Sequence, residues 1–322
     1  MLPIERHTKA VVKRRQRSQA RACRGRAVIA LFNRDILVFL GLAFALMWSS
    51  AFTSARMIVE DASPLFALSM RYLISGLIGV TIAYLLGQSW RLTPAQWRAT
   101  IIFGVMQNAL YLGLNFVAMQ TIEASLAAIV ASTMPLLVAL AGWIFLKQKL
   151  RPLGACGLIA GIAGVGIIMG ARLDSGVDLY GLALCVVGVI ALVVATLSVT
   201  GATSGGNFLM VVGLQMLVGC VVLCAATLAF ETPRINPTPQ LFMAFAYTTL
   251  VPGLAATLVW FHLVNHIGPT KAATFHFLNP FFGVAIAAVL LSEAIGPRDV
   301  IGVIVIMLGI FAVQISRQRK TA

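Results

Sequence analysis

Inside the apolar body of this chain, the side chains able to gain or lose a proton near neutral pH are His262, His266 and His276. His262 and His266 stand one helical turn apart, a spacing that could hold a metal ion. Two imidazoles with no carboxylate or thiol beside them make a poor site, so no metal is expected and interfacial solvation is the simpler account. His276 lies one turn before Pro280, where it could donate a hydrogen bond or sense protons in a cavity, or be satisfied in packing. The acidic residues Glu5, Asp35, Glu60, Asp61, Glu123, Asp174, Asp178, Glu231, Glu293 and Asp299 all fall at the N-terminus, in connections or at the ends of apolar runs. With no carboxylate at depth, a buried acid that captures lipophilic cations and a carboxylate proton relay are both disfavoured. Neutral or zwitterionic solutes fit better.

Arg71 is the basic residue placed inside an apolar run. It could be a counter-charge for a carboxylate or a latch to a backbone carbonyl, or it could snorkel to the nearer interface. Uncharged polar groups at similar depth are Asn108, Tyr111, Asn115, Ser132, Thr133 and Asn279. Each could bind a solute or simply hydrogen-bond between helices. Trp48, Tyr111, Trp260 and Phe275 could supply apolar walls, whereas Trp90, Trp97 and Trp143 read as interfacial belt residues.

The elements that must hold these groups are set by composition. The chain is 60% hydrophobic and 11% charged, against about 25% charged in soluble domains. Ten apolar segments, near 36–57, 65–87, 97–118, 124–146, 152–170, 179–200, 207–230, 240–263, 271–291 and 299–316, approach the span of a bilayer core. Turn chemistry separates them: Ser63-Pro64, Thr93-Pro94, Arg151-Pro152, Gly268-Pro269 and Gly296-Pro297. The fold class expected is an all-α integral membrane protein with ten transmembrane helices and a lipid bilayer as its solvent.

The net charge of +14 comes largely from a tail over 1–34 that contains Arg14, Arg15, Arg17 and Arg21 among other bases. The tail lacks interleaved aromatic residues, so no nucleic acid is expected. With the tail inside, Arg91, Arg98, Lys147, Lys149, Arg151, Lys271, Arg317, Arg319 and Lys320 share its side, and Arg56, Arg172, Arg234 and Arg298 lie opposite. That bias predicts both termini cytoplasmic. Cys23, Cys156, Cys185, Cys220 and Cys224 include no C-x-x-C pair and imply neither disulfides nor zinc.

An offset of 145 residues aligns 119–169 with 264–314 without a gap. It matches Pro135 with Pro280, Pro152 with Pro297, Gly157 with Gly302 and Gly164 with Gly309. Five spans per half is an odd number, so the second copy enters the membrane from the opposite side. The expected organisation is a tail over 1–34, a first five-helix repeat over 35–170, a second over 171–316 and a tail over 317–322. Pro135 and Pro280 should interrupt spans four and nine, as breaks beside a wet cavity or as packing kinks. Gly157 and Gly161, in small-xxx-small spacing, should pack against another helix of the chain or in a weak homodimer.

Several motifs in order resemble the drug/metabolite transporter superfamily of EamA type. Trp48-Ser49-Ser50 stands where that family often has Trp-Gly-Ser, and Ser63-Pro64 with Arg71-Tyr72 resembles its second-span entry. Met134-Pro135 with Leu146-Lys147-Gln148 follows its first-half pattern except that Gln148 replaces Glu. Asn279-Pro280 with Leu291-Ser292-Glu293 follows the second-half pattern fully. The resemblance implies two inverted five-helix repeats around a central cavity and a monomer or weak homodimer. It further implies alternating access for a small-molecule substrate without a cofactor.

Neutral or aromatic amino-acid exporters are the members the chain most resembles. Export of nucleosides, drugs or other metabolites is the alternative, with a membrane-embedded enzyme a more distant one. The candidate substrate-binding residues are Trp48, Arg71, Asn108, Tyr111, Asn115, Trp260, Phe275, His276 and Asn279. No H-E-x-x-H, P-loop or intramembrane Asp pair supports an enzyme or direct ATP drive.

Overall fold

The computed structural model describes residues 35–198 and 206–318; the basic segment 1–34 and residues 319–322 lie outside them. Ten helices are long and apolar enough to cross a membrane. They are α1 (Asp35–Asp61), α2 (Pro64–Leu85), α3 (Pro94–Ala118), α4 (Ala124–Ile144) and α5 (Pro152–Asp174). The second set is α6 (Leu179–Ser198), α7 (Phe208–Phe230), α8 (Pro239–Val264), α9 (Ala273–Leu291) and α10 (Pro297–Arg317). Among the described residues every regular element is helical, apart from an isolated bridge between Ala62 and Ile235. Helices satisfy their own backbone, which lipid cannot do for them.

The proline punctuation sets the helix starts. Pro64, Pro94, Pro152 and Pro239 occupy first-turn positions, where the missing N–H has no intrahelical partner to lose. The Thr93 hydroxyl accepts from the Gln96 amide, and the Gln96 side chain accepts from the Thr93 amide. Thr238 caps α8 in the same way, accepting from the Leu241 amide. These caps draw α3 and α8 out ahead of the apolar runs at 97–118 and 240–263.

The 145-residue offset runs well beyond 119–169. It relates Thr93-Pro94 to Thr238-Pro239 and the end of α2 at Leu85 to the end of α7 at Phe230. It also relates a π-helical stretch in α3, Gly104–Tyr111, to one in α8, Thr249–Ala255. The turns after α4 and α9 share a left-handed residue, Lys147 (φ 50°) and Ser292 (φ 56°). Both expected breaks lie in the proline regions. α4 is interrupted at Thr133, just before Met134-Pro135, and α9 opens with a 3-10 stretch over Ala273–Leu278 ahead of Asn279-Pro280.

Packing joins the halves rather than separating them. α2 lies along α7 and α5 along α10, each pair made of repeat equivalents; α4 meets α9, and α3 wedges against α6 and α7. Glycines allow the approach: a Cβ on Gly213 would stand 2.7 Å from the Val80 amide nitrogen, and one on Gly157 2.8 Å from the Gly309 carbonyl oxygen. The glycine face of α5 is thus used within the chain. One buried apolar cluster extends through both halves, from Phe52 and Leu68 to Phe116, Met216 and Leu223.

Candidate functional site

A cavity enclosing about 530 Å³, its mouth included, lies between α1, α2, α3 and α8. Trp48 and Phe52 reach it from α1, Arg71 from α2, Gln107, Tyr111 and Asn115 from α3, and Pro252 from α8. Arg71 stands seven residues into α2, about 10 Å along the axis from the 61–64 connection. Trp48, Gln107 and Pro252 lie deeper, near the middle of their helices.

The two π-helical stretches shape this space. Pro252 has no N–H to donate to the carbonyl four residues back, and α8 absorbs the loss by widening over Thr249–Ala255. Pro252 and Gln107 are repeat equivalents, so the same local distortion approaches the cavity from each half. Gly253 faces Arg71: a Cβ there would stand 3.5 Å from Nη2 of the guanidinium.

Arg71 dominates the electrostatics. It is 7% exposed, and its Nε has no hydrogen-bond partner. The guanidinium carbon sits 5.4 Å from the centre of the Tyr72 ring, and no ion pair joins it to any described residue. The cavity lining contains no carboxylate. A buried cation normally finds an anion; among the described residues this one has none.

The other expected residues are placed as follows. Trp48, Arg71, Tyr111 and Asn115 line the cavity. Asn115 Nδ2 donates to the Tyr111 carbonyl at 2.7 Å, and the Cys185 thiol lies 3.4 Å from its Oδ1. Asn108 turns to α7, where Nδ2 donates to the Gln215 carbonyl at 2.9 Å, a helix-packing bond. His276 and Trp260 belong to an adjoining aromatic cluster. The His276 ring stands 5.2 Å from Phe44, 6.0 Å from Trp48 and 5.2 Å from Trp260, centre to centre.

His276 Nδ1 and Asn279 Nδ2 are 2.9 Å apart, and the Phe275 ring presses on α1 at Gly41. Trp48 alone belongs to both groups, with one face on the cavity and an edge-to-face contact to His276. The breaks at Pro135 and Pro280 do not line the cavity; the π-helical stretches do. Gln107 and Pro252 were not anticipated from sequence, although a proline midway along α8 was the available signal. His262 and His266 stack at 4.0 Å near the end of α8, and the described residues contain no group of three potential metal ligands.

The uncharacterized inner membrane transporter YedA of Escherichia coli (strain K12) is 27% identical over 296 residues, covering 88% of this chain and 93% of that protein. The uncharacterized transporter YvbV of Bacillus subtilis (strain 168) is 23% identical, covering 87% and 92%. One solved crystal structure superposes with a TM-score of 0.65 at 18% identity, over 89% of this chain and 99% of the other, which establishes a shared fold. The EamA-like transporter family matches twice, at residues 35–170 and 179–315, once for each set of five helices. With ten helices, the repeat and both family matches in agreement, the chain belongs to the EamA-like transporter family, whose members span the membrane and move solutes across it.

Proposed function

We propose that the protein is a secondary transporter that exports neutral or aromatic amino acids by alternating access through the cavity around Arg71. The observation that carries this reading is the buried guanidinium, unpaired at Nε and without a carboxylate partner among the described residues, in a cavity with aromatic walls. An α-carboxylate supplies the missing anion, because a guanidinium binds carboxylates through two parallel hydrogen bonds. Trp48, Phe52, Tyr111 and Phe116 offer an apolar surface for a side chain, and the amides of Gln107 and Asn115 offer acceptors for an ammonium group. The cavity has no acid to favour a purely cationic drug.

The bias of the basic residues supports both termini lying in the cytoplasm, with the two five-helix halves rocking against each other to expose the cavity to either side. Counterflow in proteoliposomes tests the reading. Vesicles loaded with unlabelled neutral or aromatic amino acids should accumulate a labelled one transiently and saturably, and cationic dyes should not drive it. Absence of counterflow with every amino acid, in folded protein, would overturn the substrate class.

A further inference from the structure

Two carboxylates of the second half reach across to the first, both at the face formed by the 61–64, 118–124, 230–239 and 291–297 connections. Glu231, at the end of α7, accepts from the amides of Leu65 and Phe66 at 3.1 Å, at the start of α2. Glu293, after α9, accepts from the amides of Ala124 at 2.7 Å and Ser125 at 3.0 Å, at the start of α4. Each charge meets the positive end of a helix whose first amides have no other partner. Further bonds across the halves surround them. Arg172 of α5 bridges Glu123 at 2.6 Å and Asp299 of α10 at 3.2 Å, Asp61 binds Asn236 and Thr238, and Ser63 binds the Thr232 carbonyl.

The opposite face is built from the same repeat but lacks these charges. The repeat equivalent of Glu293 is Gln148, in a turn of the same shape, since Lys147 and Ser292 are both left-handed. Gln148 folds back within its own half, where a Cβ on Gly142 would stand 2.8 Å from its Oε1. The equivalent of Ala124 is Pro269, which has no amide hydrogen to offer. Two neutral side-chain links cross the halves at this face. Gln88 accepts from the Met210 amide at 3.0 Å and Asn207 from the Ser89 amide at 2.9 Å.

We propose that Glu293 and Glu231 form a charged latch that holds the two halves closed at their face, and that Gln148 leaves the other face with a weaker, uncharged one. The asymmetry sets the resting state. Both latches cannot be closed while the cavity opens, so the stronger one decides which side stays shut. This inference rests on alternating access, because a latch has a function only where the halves move.

The test uses spin-label distances in the full chain reconstituted in lipid, with native cysteines replaced. One pair, Gln120 and Ala294, spans the latch face; the other, Trp90 and Lys271, spans the opposite face. No substrate is required. Charged hydrogen bonds outweigh neutral ones, so Glu293→Gln should raise the ratio of open to closed populations at the latch face by roughly fivefold. Gln148→Glu combined with Pro269→Ala, which restores the missing amide, should move the ratio the same way by strengthening the other side. Glu231→Gln serves if Glu293→Gln fails to fold.

A folded Glu293→Gln or Glu231→Gln protein with unchanged distances overturns the latch. A folded protein carrying Gln148→Glu and Pro269→Ala with unchanged or oppositely shifted distances overturns the role of the asymmetry. If instead every protein, wild type included, shows one rigid distance at both faces, alternating access itself fails, and the inference with it.

Discussion

Arg71 has a cost in the folded protein that no carboxylate among the described residues offsets. Buried charges without partners are destabilising, and replacing them with apolar groups of similar size is often neutral or stabilising. A residue kept only for packing would show the opposite. Arg71→Met is therefore expected to leave thermal unfolding in detergent unchanged or shifted upward. The same variant should weaken counterflow of a carboxylate-bearing solute about 10- to 100-fold in apparent affinity, the loss expected for hydrogen bonds to a charged group. The amide of the same solute, which has no carboxylate, should lose little. Equal losses for both would make Arg71 a structural residue.

The sequence places these polar groups at the correct depth but not on the correct side of their helices. Gln107, Tyr111 and Asn115 follow one another at four-residue intervals and face the cavity, while Asn108 is one position round and bonds to α7. A helical wheel assumes about 100° per residue. The π-helical stretch over Gly104–Tyr111 breaks that assumption across the segment that carries these residues.

Single glycines decide how closely whole helices approach. A Cβ on Gly309 of α10 would stand 2.6 Å from the Gly157 carbonyl oxygen and 2.6 Å from the Gly161 nitrogen, both backbone atoms of α5. No rotamer relieves such a contact, so the helices must part. Gly309→Val should lower stability by about 1–3 kcal/mol, the range for overpacking, read as a drop in the thermal midpoint in detergent. Gly166 is the control on α5 itself, exposed and with open space where its Cβ would be. Gly166→Ala should be neutral or add up to about 1 kcal/mol through helix propensity. Equal effects at the two positions would remove close packing as the reason for the glycines.

Much at this scale was legible. The ten spans, the proline starts and the repeat over 119–169 follow from hydropathy and from residues with few allowed conformations. The π-helical stretches were not, because widening a helix by one residue leaves its hydropathy unchanged; only Pro252 in α8 marks one of them. The helix starts ran two or three residues ahead of the apolar runs in α3 and α10, since caps and first-turn residues are polar.

The whole molecule faces a degeneracy, because two halves of the same fold must enter the membrane in opposite senses. Hydropathy cannot separate them, since equivalent helices are similarly apolar. Loop charge can. The turn after α4 carries Lys147, Lys149 and Arg151, whereas its equivalent after α9 carries Glu293 and has no base before Arg298. Acidic residues sort the same way, for every described carboxylate except Asp35 lies at the face that holds the Glu231 and Glu293 caps. Bases hold a face in the cytoplasm, and acids, free of that constraint, are available to cap helices on the other side.

Sidedness and latch therefore come from one charge pattern, and labelling in intact cells examines both. In a chain without native cysteines, Thr232→Cys at the capped face should react with a membrane-impermeant maleimide added outside. Trp90→Cys, at the basic face, should react only after the cells are permeabilised. That outcome puts the charged latch on the outside and makes the resting transporter open to the cytoplasm, ready to load a solute for export. The reverse pattern would put the latch on the cytoplasmic side, and the same closed contacts would then describe a protein resting open to the exterior, poised for uptake.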